Sequence, residues 1–192
     1  MPALGRSEAA RKRSVVVCDI QGTPLRTAGI LEAHSGEGIL HRAFSAFVFR
    51  NGGDELLLQR RSSSKATFPL LWSNTCCSHP FPADAPICSL ATKRMREELG
   101  FAVDLVEAGA FVYRARDENS RLIEYEHDSV LIGYADGVVA MSPDPQEVDE
   151  CRWVPVNALC AELANDGAKY SPWLPDALEI ALHRVRHRQP EI

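Results

Sequence analysis

One helix signal divides this chain, and what lies on either side of it limits the fold. Ile87 to Leu99 reads as a helix of ordinary length, and Gly100 stands just past its end, where glycine adopts the left-handed turn. The regular segments before it read as strands. Ser14 to Ile20 is short and β-branched, and Gln21-Gly22-Thr23-Pro24 closes it. Leu25 to His34 reads as a second strand entering a loop, with His34 on the loop shoulder. Ile39 to Arg50 and Glu55 to Arg60 read as a hairpin through Asn51-Gly52-Gly53-Asp54. Arg61 to Leu71 is serine-rich and polar, and Pro69 stops any regular element there. After the helix, Val103 to Arg116 and Leu122 to Asp136 read as long strands joined by Asp117-Glu118-Asn119-Ser120. Cys151 to Val154 reads as a short strand. Val156 to Asn165 and Pro172 to Arg188 read as helices, the last basic at its C-terminal end as the helix dipole favours. Hairpins with helices between and after them give an α+β class or a three-layer α/β/α sandwich.

The 192 residues fit one domain, 14–192, preceded by a flexible basic tail, 1–13, that carries Arg6, Arg11, Lys12 and Arg13. That tail lacks the apolar run of a signal peptide, and no segment approaches the roughly 20 apolar residues of a membrane span. A cytoplasmic protein is expected. A net charge of −5 argues against bulk affinity for nucleic acid but leaves room for a small anion held by a few local cations. The six cysteines form no CxxC pair, which argues against a four-cysteine zinc site, and no disulfide framework.

Chemistry concentrates in Trp72-Ser73-Asn74-Thr75-Cys76-Cys77-Ser78-His79-Pro80, where a thiol stands two residues from an imidazole. Such a pair suits catalysis or metal binding, and equally a buried Cys pair beside a loop His. His34, His41, His79, Glu124 and Glu126 have metal-ligand chemistry, although taken singly each also reads as an ordinary core or surface residue. Glu124 and Glu126 lie two apart on a strand, so their side chains share a face. Histidine with carboxylate suits a first-row divalent ion or magnesium better than calcium. A basic group, Arg60, Arg61, Lys65, Lys93, Arg94 and Arg96, offers phosphate-binding forks and point charges, with Lys93 and Arg96 reading as solvated.

Arg96-Glu97-Glu98-Leu99-Gly100 resembles the tail of the Nudix box, but Thr92 and Lys93 stand where the hydrolase box has its Arg-Glu pair. With Leu40–Ser45 (LHRAFS), Trp72–Pro80, Tyr113–Arg116 (YRAR), Glu124–Glu126 (EYE) and Ser171–Trp173 (SPW), the chain resembles the type I isopentenyl-diphosphate isomerases, a branch of the Nudix fold. The resemblance runs from about Val15 to Trp173 and implies a Nudix-like mixed sheet with flanking helices. It implies an octahedral metal site on His34, His41, His79, Glu124 and Glu126. A second Mg²⁺ would lie at Glu98 with the substrate diphosphate. The expected ion is Mg²⁺, with Mn²⁺ or Zn²⁺ as alternatives at the His/Glu site. It implies Cys77 and Glu126 as the acid–base pair, Tyr113 as proton donor or relay, and Trp173 facing a tertiary carbocation. Cys76 matches no catalytic role and reads as packing. Arg61, Lys65 and Arg94 match the family's phosphate contacts.

Three positions depart from the family: Ile30 replaces a lysine that contacts the diphosphate, Leu70 a glycine, and Ala83-Asp84 a Gly-Glu pair. The first expectation is isomerisation of isopentenyl to dimethylallyl diphosphate. A second keeps the acid–base pair but applies it to protonation-initiated cyclisation of a prenyl group on a larger aromatic or quinone-type substrate. A third is a Nudix pyrophosphohydrolase. The expected partner is a small isoprenoid substrate, with neither nucleic acid nor a membrane span, and the protein a monomer or homodimer.

Overall fold

The structure, a computed structural model, describes residues 13–187 except 136 and 138. Residues 1–12 of the expected tail, and the end of the last expected helix at Arg188, lie outside the described residues, as does Asp136. The strands are β1 (Ser14–Cys18), β2 (Pro24–Gly29), β3 (His41–Arg50), β4 (Glu55–Arg61), β5 (Trp72–Ser73), β6 (Cys76–Ser78), β7 (Leu105–Arg116), β8 (Ile123–Tyr134) and β9 (Val148–Pro155). The helices are α1 (Ile30–His34), α2 (Ile87–Leu99), α3 (Val156–Asn165) and α4 (Leu174–Arg186).

Strand β3 is the spine. One edge pairs in parallel with β8, from His41↔Glu126 to Phe49↔Tyr134. Its other edge is divided among three strands: β1 at His41, β6 from Phe44 to Ala46, and β4 at Phe49 and Arg50. The hairpin expected over residues 39–60 is therefore only two pairs deep, and β4 swings away to pair with β9 along its length. Thr75 fills the fork. Its buried hydroxyl accepts the Val48 N–H at 2.9 Å and donates to the Leu57 carbonyl at 2.6 Å, satisfying one backbone group on each diverging strand. The thiol segment, whose local pattern reads as a loop or short edge strand, thus lies against the centre of the sheet.

Side chains alternate across β3. Phe44, Ala46 and Val48 pack with Leu57, Leu131, Ala91, Met95 and Leu99 under α2. Phe47 and Phe49 pack with Leu56, Leu58, Val130 and Ile132 under α4. Each large apolar side chain buried this way contributes about 1.5–3 kcal/mol, and the two cores make the sandwich three layers. On the α4 side, the period-two rule puts Phe47 and Phe49 in line with Ser45 and His41. It likewise puts Val130 and Ile132 in line with Asp128, Glu126 and Glu124. The same face is therefore apolar at one end and ligand-bearing at the other, and the site occupies the second end.

Helix α2 has the expected bounds. Gly100 takes φ +77 and its N–H closes the helix on Arg96 O at 3.1 Å. Two expectations need correction. Leu25 to His34 is not a strand running into a loop: β2 ends at Gly29 and one helical turn follows, with His34 buried at its last position. Arg13 is not part of a loose tail, since its carbonyl accepts the Ile30 N–H at 2.9 Å. The strand expected at Cys151–Val154 is longer, Val148–Pro155, because β4 pairs with all of it. Among the described residues, no helix is long and apolar enough to cross a membrane.

Two substitutions test this account. Thr75→Val keeps the shape but leaves the Val48 N–H and Leu57 carbonyl buried without a partner, and should cost about 2–4 kcal/mol in urea denaturation. Leu70 is exposed and holds φ +62, a conformation that strains a side chain by about 1–2 kcal/mol. Leu70→Gly removes that strain but adds about 0.5–1 kcal/mol of chain entropy to the unfolded state, so a small net gain in stability is expected. Unchanged stability in the first variant, or a loss in the second, would contradict these readings.

Candidate active site

The five candidate ligands converge. One ligand atom from each of His34, His41, His79, Glu124 and Glu126 lies within 4.8 Å of all the others. Ring centroids of the three histidines are 4.8 Å (His34–His41), 5.3 Å (His34–His79) and 4.9 Å (His41–His79) apart. His34 comes from α1, His41 from β3, His79 from the residue after β6, and the glutamates from β8. Two of the rings are oriented from behind: His34 Nδ1 donates to Ile30 O and His41 Nδ1 to Ile39 O, both at 2.7 Å. Each Nε2 is thereby aimed into the cluster, the arrangement by which a backbone carbonyl fixes the tautomer of a metal-binding histidine. His41 Nε2 is fully buried and makes no hydrogen bond among the described residues, although Glu126 Oε1 stands 3.5 Å away. A divalent cation would satisfy that nitrogen, so the donor set fits such an ion.

Histidine–carboxylate pairs link the cluster. His34 Nε2 lies 2.7 Å from Glu124 Oε2, and His79 Nε2 2.8 Å from Glu126 Oε1. Burial opposes charge on His34, but the Glu124 carboxylate outweighs it and raises the imidazole to about 9. Burial dominates at His79 and lowers it despite Glu126. Burial also pushes Glu126 upward, but His41 and His79 override it and hold the carboxyl well below its usual range. Glu124 is steadied from the other side by the Thr67 hydroxyl at 2.5 Å.

Register places the remaining side chains. Glu126 is flanked in the sheet by His41 on β3 and Tyr113 on β7, and Tyr113 donates its phenolic proton to Glu126 Oε2 at 2.5 Å. Burial and the Glu126 charge keep that phenol well above its ordinary value. Cys77 is the β6 partner of Ser45 on β3, while Cys76 points to the opposite face beneath α2. Burial raises the Cys77 thiol to about 11, with Arg61 pulling the other way. Arg61 reaches 3.4 Å from Cys77 Sγ and lies 5.1 Å above the Trp173 ring. Trp173, almost fully buried, packs against Tyr113 at 5.8 Å between centroids.

Sequence reasoning missed what holds this group together. Asn74 is fully buried and makes four hydrogen bonds: it donates to Ala46 O and Cys76 O and accepts from the Ser73 hydroxyl and the Trp173 indole N–H. Ser73 also meets Ser171 at 3.0 Å. The Trp72–Pro80 and Ser171–Trp173 segments are thus one hydrogen-bonded unit, and its signal was the run of small polar residues between two apolar cores. Asp128 was also missed. It accepts from Ser45 at 2.7 Å, and burial beside Glu126 holds its carboxyl well above the usual range.

The basic residues separate. Arg60 pairs with Asp149 and Glu150, away from the others. Lys65 and Arg94 close on two carboxylates. Both hold Glu147 at 2.5 Å, Arg94 Nε also lies 2.9 Å from Glu98, and Lys65 stands 3.8 Å from Glu98. Glu98 lies outside the His/Glu cluster and is fully buried among these cations. Lys93 and Arg96 are exposed on α2. One cavity of about 960 Å³ is lined by Cys77, Glu126, Tyr113 and Trp173 together with Arg61, Lys65, Arg94 and Glu147.

Comparison with known proteins gives the same direction. Residues 39–174 match the NUDIX domain family. The isopentenyl-diphosphate Delta-isomerase of Nocardia farcinica is 46% identical over 167 residues, covering 87% of this chain and 93% of that protein. The enzyme of the same description from Burkholderia multivorans is 42% identical, covering 91% and 98%. Among solved structures, DR0079 from Deinococcus radiodurans superposes with a TM-score of 0.66 at 15% identity over 88% of this chain and 99% of that one. The MutT protein of Methanosarcina mazei gives 0.60 at 19% identity over 78% and 96%. These two show the shared fold.

The Glu147 pairing predicts a pH signature. Burial opposes its charge, but Lys65 and Arg94 hold its carboxyl down to about 2 against an ordinary 4.5. A depressed carboxyl adds stability above its ordinary value and loses that contribution as pH falls towards its folded value. Glu147→Gln should therefore be less stable than the parent by about 2 kcal/mol at neutral pH, with the gap narrowing steadily below pH 4.5 in urea titrations. A gap that stays constant down to pH 3 would contradict the pairing.

Proposed function

This chain belongs to the NUDIX domain family and, within it, to the isopentenyl-diphosphate Delta-isomerases, and from that premise we propose that it converts isopentenyl diphosphate to dimethylallyl diphosphate. The observation that carries the reading is the shared cavity: Cys77 lines it together with a Glu126 hydrogen-bonded at 2.5 Å by Tyr113. Moving an unactivated double bond requires one proton delivered to the terminal carbon and another removed from the neighbouring methylene. Between them lies a tertiary cation. Cys77 and Glu126 form that acid–base pair, and Tyr113 relays the proton at the carboxylate. No net proton is gained or lost over the cycle. The face of Trp173 supports the cation, an interaction of about 2 kcal/mol where water is excluded.

His34, His41, His79, Glu124 and Glu126 would hold a divalent cation, Mg²⁺ in our reading. When bound it supplies charge that fixes Glu126 and stabilises its ionised form. The protein's own part is orientation. Asn74 locks the indole of Trp173, and Thr67 locks Glu124. Arg61, Lys65 and Arg94 bind the diphosphate, and in our reading Glu98, held by Lys65 and Arg94, would take the second Mg²⁺ that enters with it.

A second reading, cyclisation of a prenyl group on a larger substrate, draws on one observation. At about 960 Å³ the cavity sits near the top of the roughly 300–1,000 Å³ range of small-molecule sites, and Ile30 and Leu31 give it apolar lining.

Incubation of the Mg²⁺-loaded protein with isopentenyl diphosphate in D₂O should yield dimethylallyl diphosphate carrying deuterium, and chelation should abolish the conversion. Cys77→Ala and Glu126→Gln should each lower kcat by about a thousandfold or more. Absence of turnover in a metal-loaded preparation would remove the isomerase reading and leave cyclisation of a prenylated aromatic substrate to be assayed.

A further inference from the structure

Position 30 is apolar at the rim of an anion site, and the structure shows what stands beside it. The β1–β2 ladder runs to Ser14↔Gly29, and the next step brings Arg13 opposite Ile30 through the 2.9 Å backbone bond. That bond holds the two backbones side by side just beyond the end of the ladder, so side chains 13 and 30 start from neighbouring points. Both line the main cavity, and both also line a smaller adjoining cavity of about 290 Å³ that Arg94 shares.

The Arg13 guanidinium is already in the field of the cation cluster. Its Nη2 lies 3.8 Å from Glu147 Oε1, the same oxygen that Arg94 holds at 2.5 Å. That distance is too long for a hydrogen bond, and among the described residues the side chain makes none. The side chain is 49% exposed, so its donors remain open to a ligand. Lys65 and Arg94 are held by Glu97, Glu98 and Glu147, whereas Arg13 meets Glu147 alone and only at this long distance, so of the three it is the cation least engaged by carboxylates. A half-exposed ion pair of this length adds little to stability, whereas a guanidinium fork matches the paired oxygens of a phosphoryl group.

We propose that Arg13 is a substrate-binding residue of the diphosphate subsite, reaching from the strand opposite Ile30 to grip the headgroup alongside Lys65 and Arg94. This rests on the reading that the substrate carries a diphosphate. It makes the segment entering β1 part of the binding site, and it places the fourth cation on the segment facing residue 30 instead of at residue 30 itself.

The test uses the full-length, Mg²⁺-loaded protein with inorganic pyrophosphate as the calorimetric probe, and isopentenyl diphosphate for kinetics. Arg13→Ala should weaken pyrophosphate binding and raise KM by about tenfold or more, with kcat changed by less than about threefold and the melting temperature unchanged. Arg13→Lys should recover part of the loss, and Ile30→Lys placed in the Arg13→Ala protein should recover it from the opposite strand. Pyrophosphate binding by Arg13→Ala within about twofold of the parent would overturn the proposal, as would a loss that tracks a lowered melting temperature and that lysine does not repair. If pyrophosphate binding depends on Arg13 but isopentenyl diphosphate is not turned over, the assignment of Arg13 stands and the isomerase reading falls.

Discussion

The parallel register of β3 against β8 is the constraint on which the rest depends. His41 pairs with Glu126, and every later pair follows from that one, through Phe49 and Tyr134. A slip by one residue would turn Glu124, Glu126 and Asp128 to the α2 side and Leu131 to the α4 side. Two apolar cores prevent it. Leu131 fits among Met95 and Leu99 on one face, and Val130 and Ile132 fit among Phe47 and Leu178 on the other. The hydrophobic pattern of the distal half of these strands thus sets the geometry of the polar half.

Much of this was legible in the sequence. The helix Ile87–Leu99, the helix Val156–Asn165 and the two long strands follow from local pattern and from Gly100 and Asp117–Ser120. The five ligands could be picked out by chemistry, and the alternation of Glu124 and Glu126 placed two of them on one face. Other features were not legible because they depend on partners distant in the chain. Nothing near His34 says that Leu25–Gly29 stops as a strand and leaves one helical turn; that turn places Nδ1 on Ile30 O, with Nε2 reaching Glu124 ninety residues on. Nor does local pattern show that β4 parts from β3, since the Thr75 hydroxyl that fills the fork comes from a later segment. Asn74 reads as an ordinary turn residue until Trp173 arrives as its partner.

The cavity carries two electrostatic regimes. At one end, histidines and carboxylates converge around buried Nε2 of His41, a set that a divalent cation completes. At the other, Lys65 and Arg94 dominate. The thiol, the indole and the Arg61 guanidinium lie together, and the sulfur's burial keeps it protonated until far above neutral pH. Between the two ends, Arg61 is the charged group that stands beside the thiol and over the indole.

Glu147 gives the cationic end an unusual resting state. Its carboxylate lies between Lys65 and Arg94 and offsets their mutual repulsion. On the proposed assignment of Lys65 and Arg94 to the diphosphate, an entering headgroup would replace a resident anion instead of meeting bare charge, and association would be a swap of counter-ions. Since reactant and product of a double-bond shift bear the same headgroup, the internal carboxylate would then compete for the vacated cations as the product leaves.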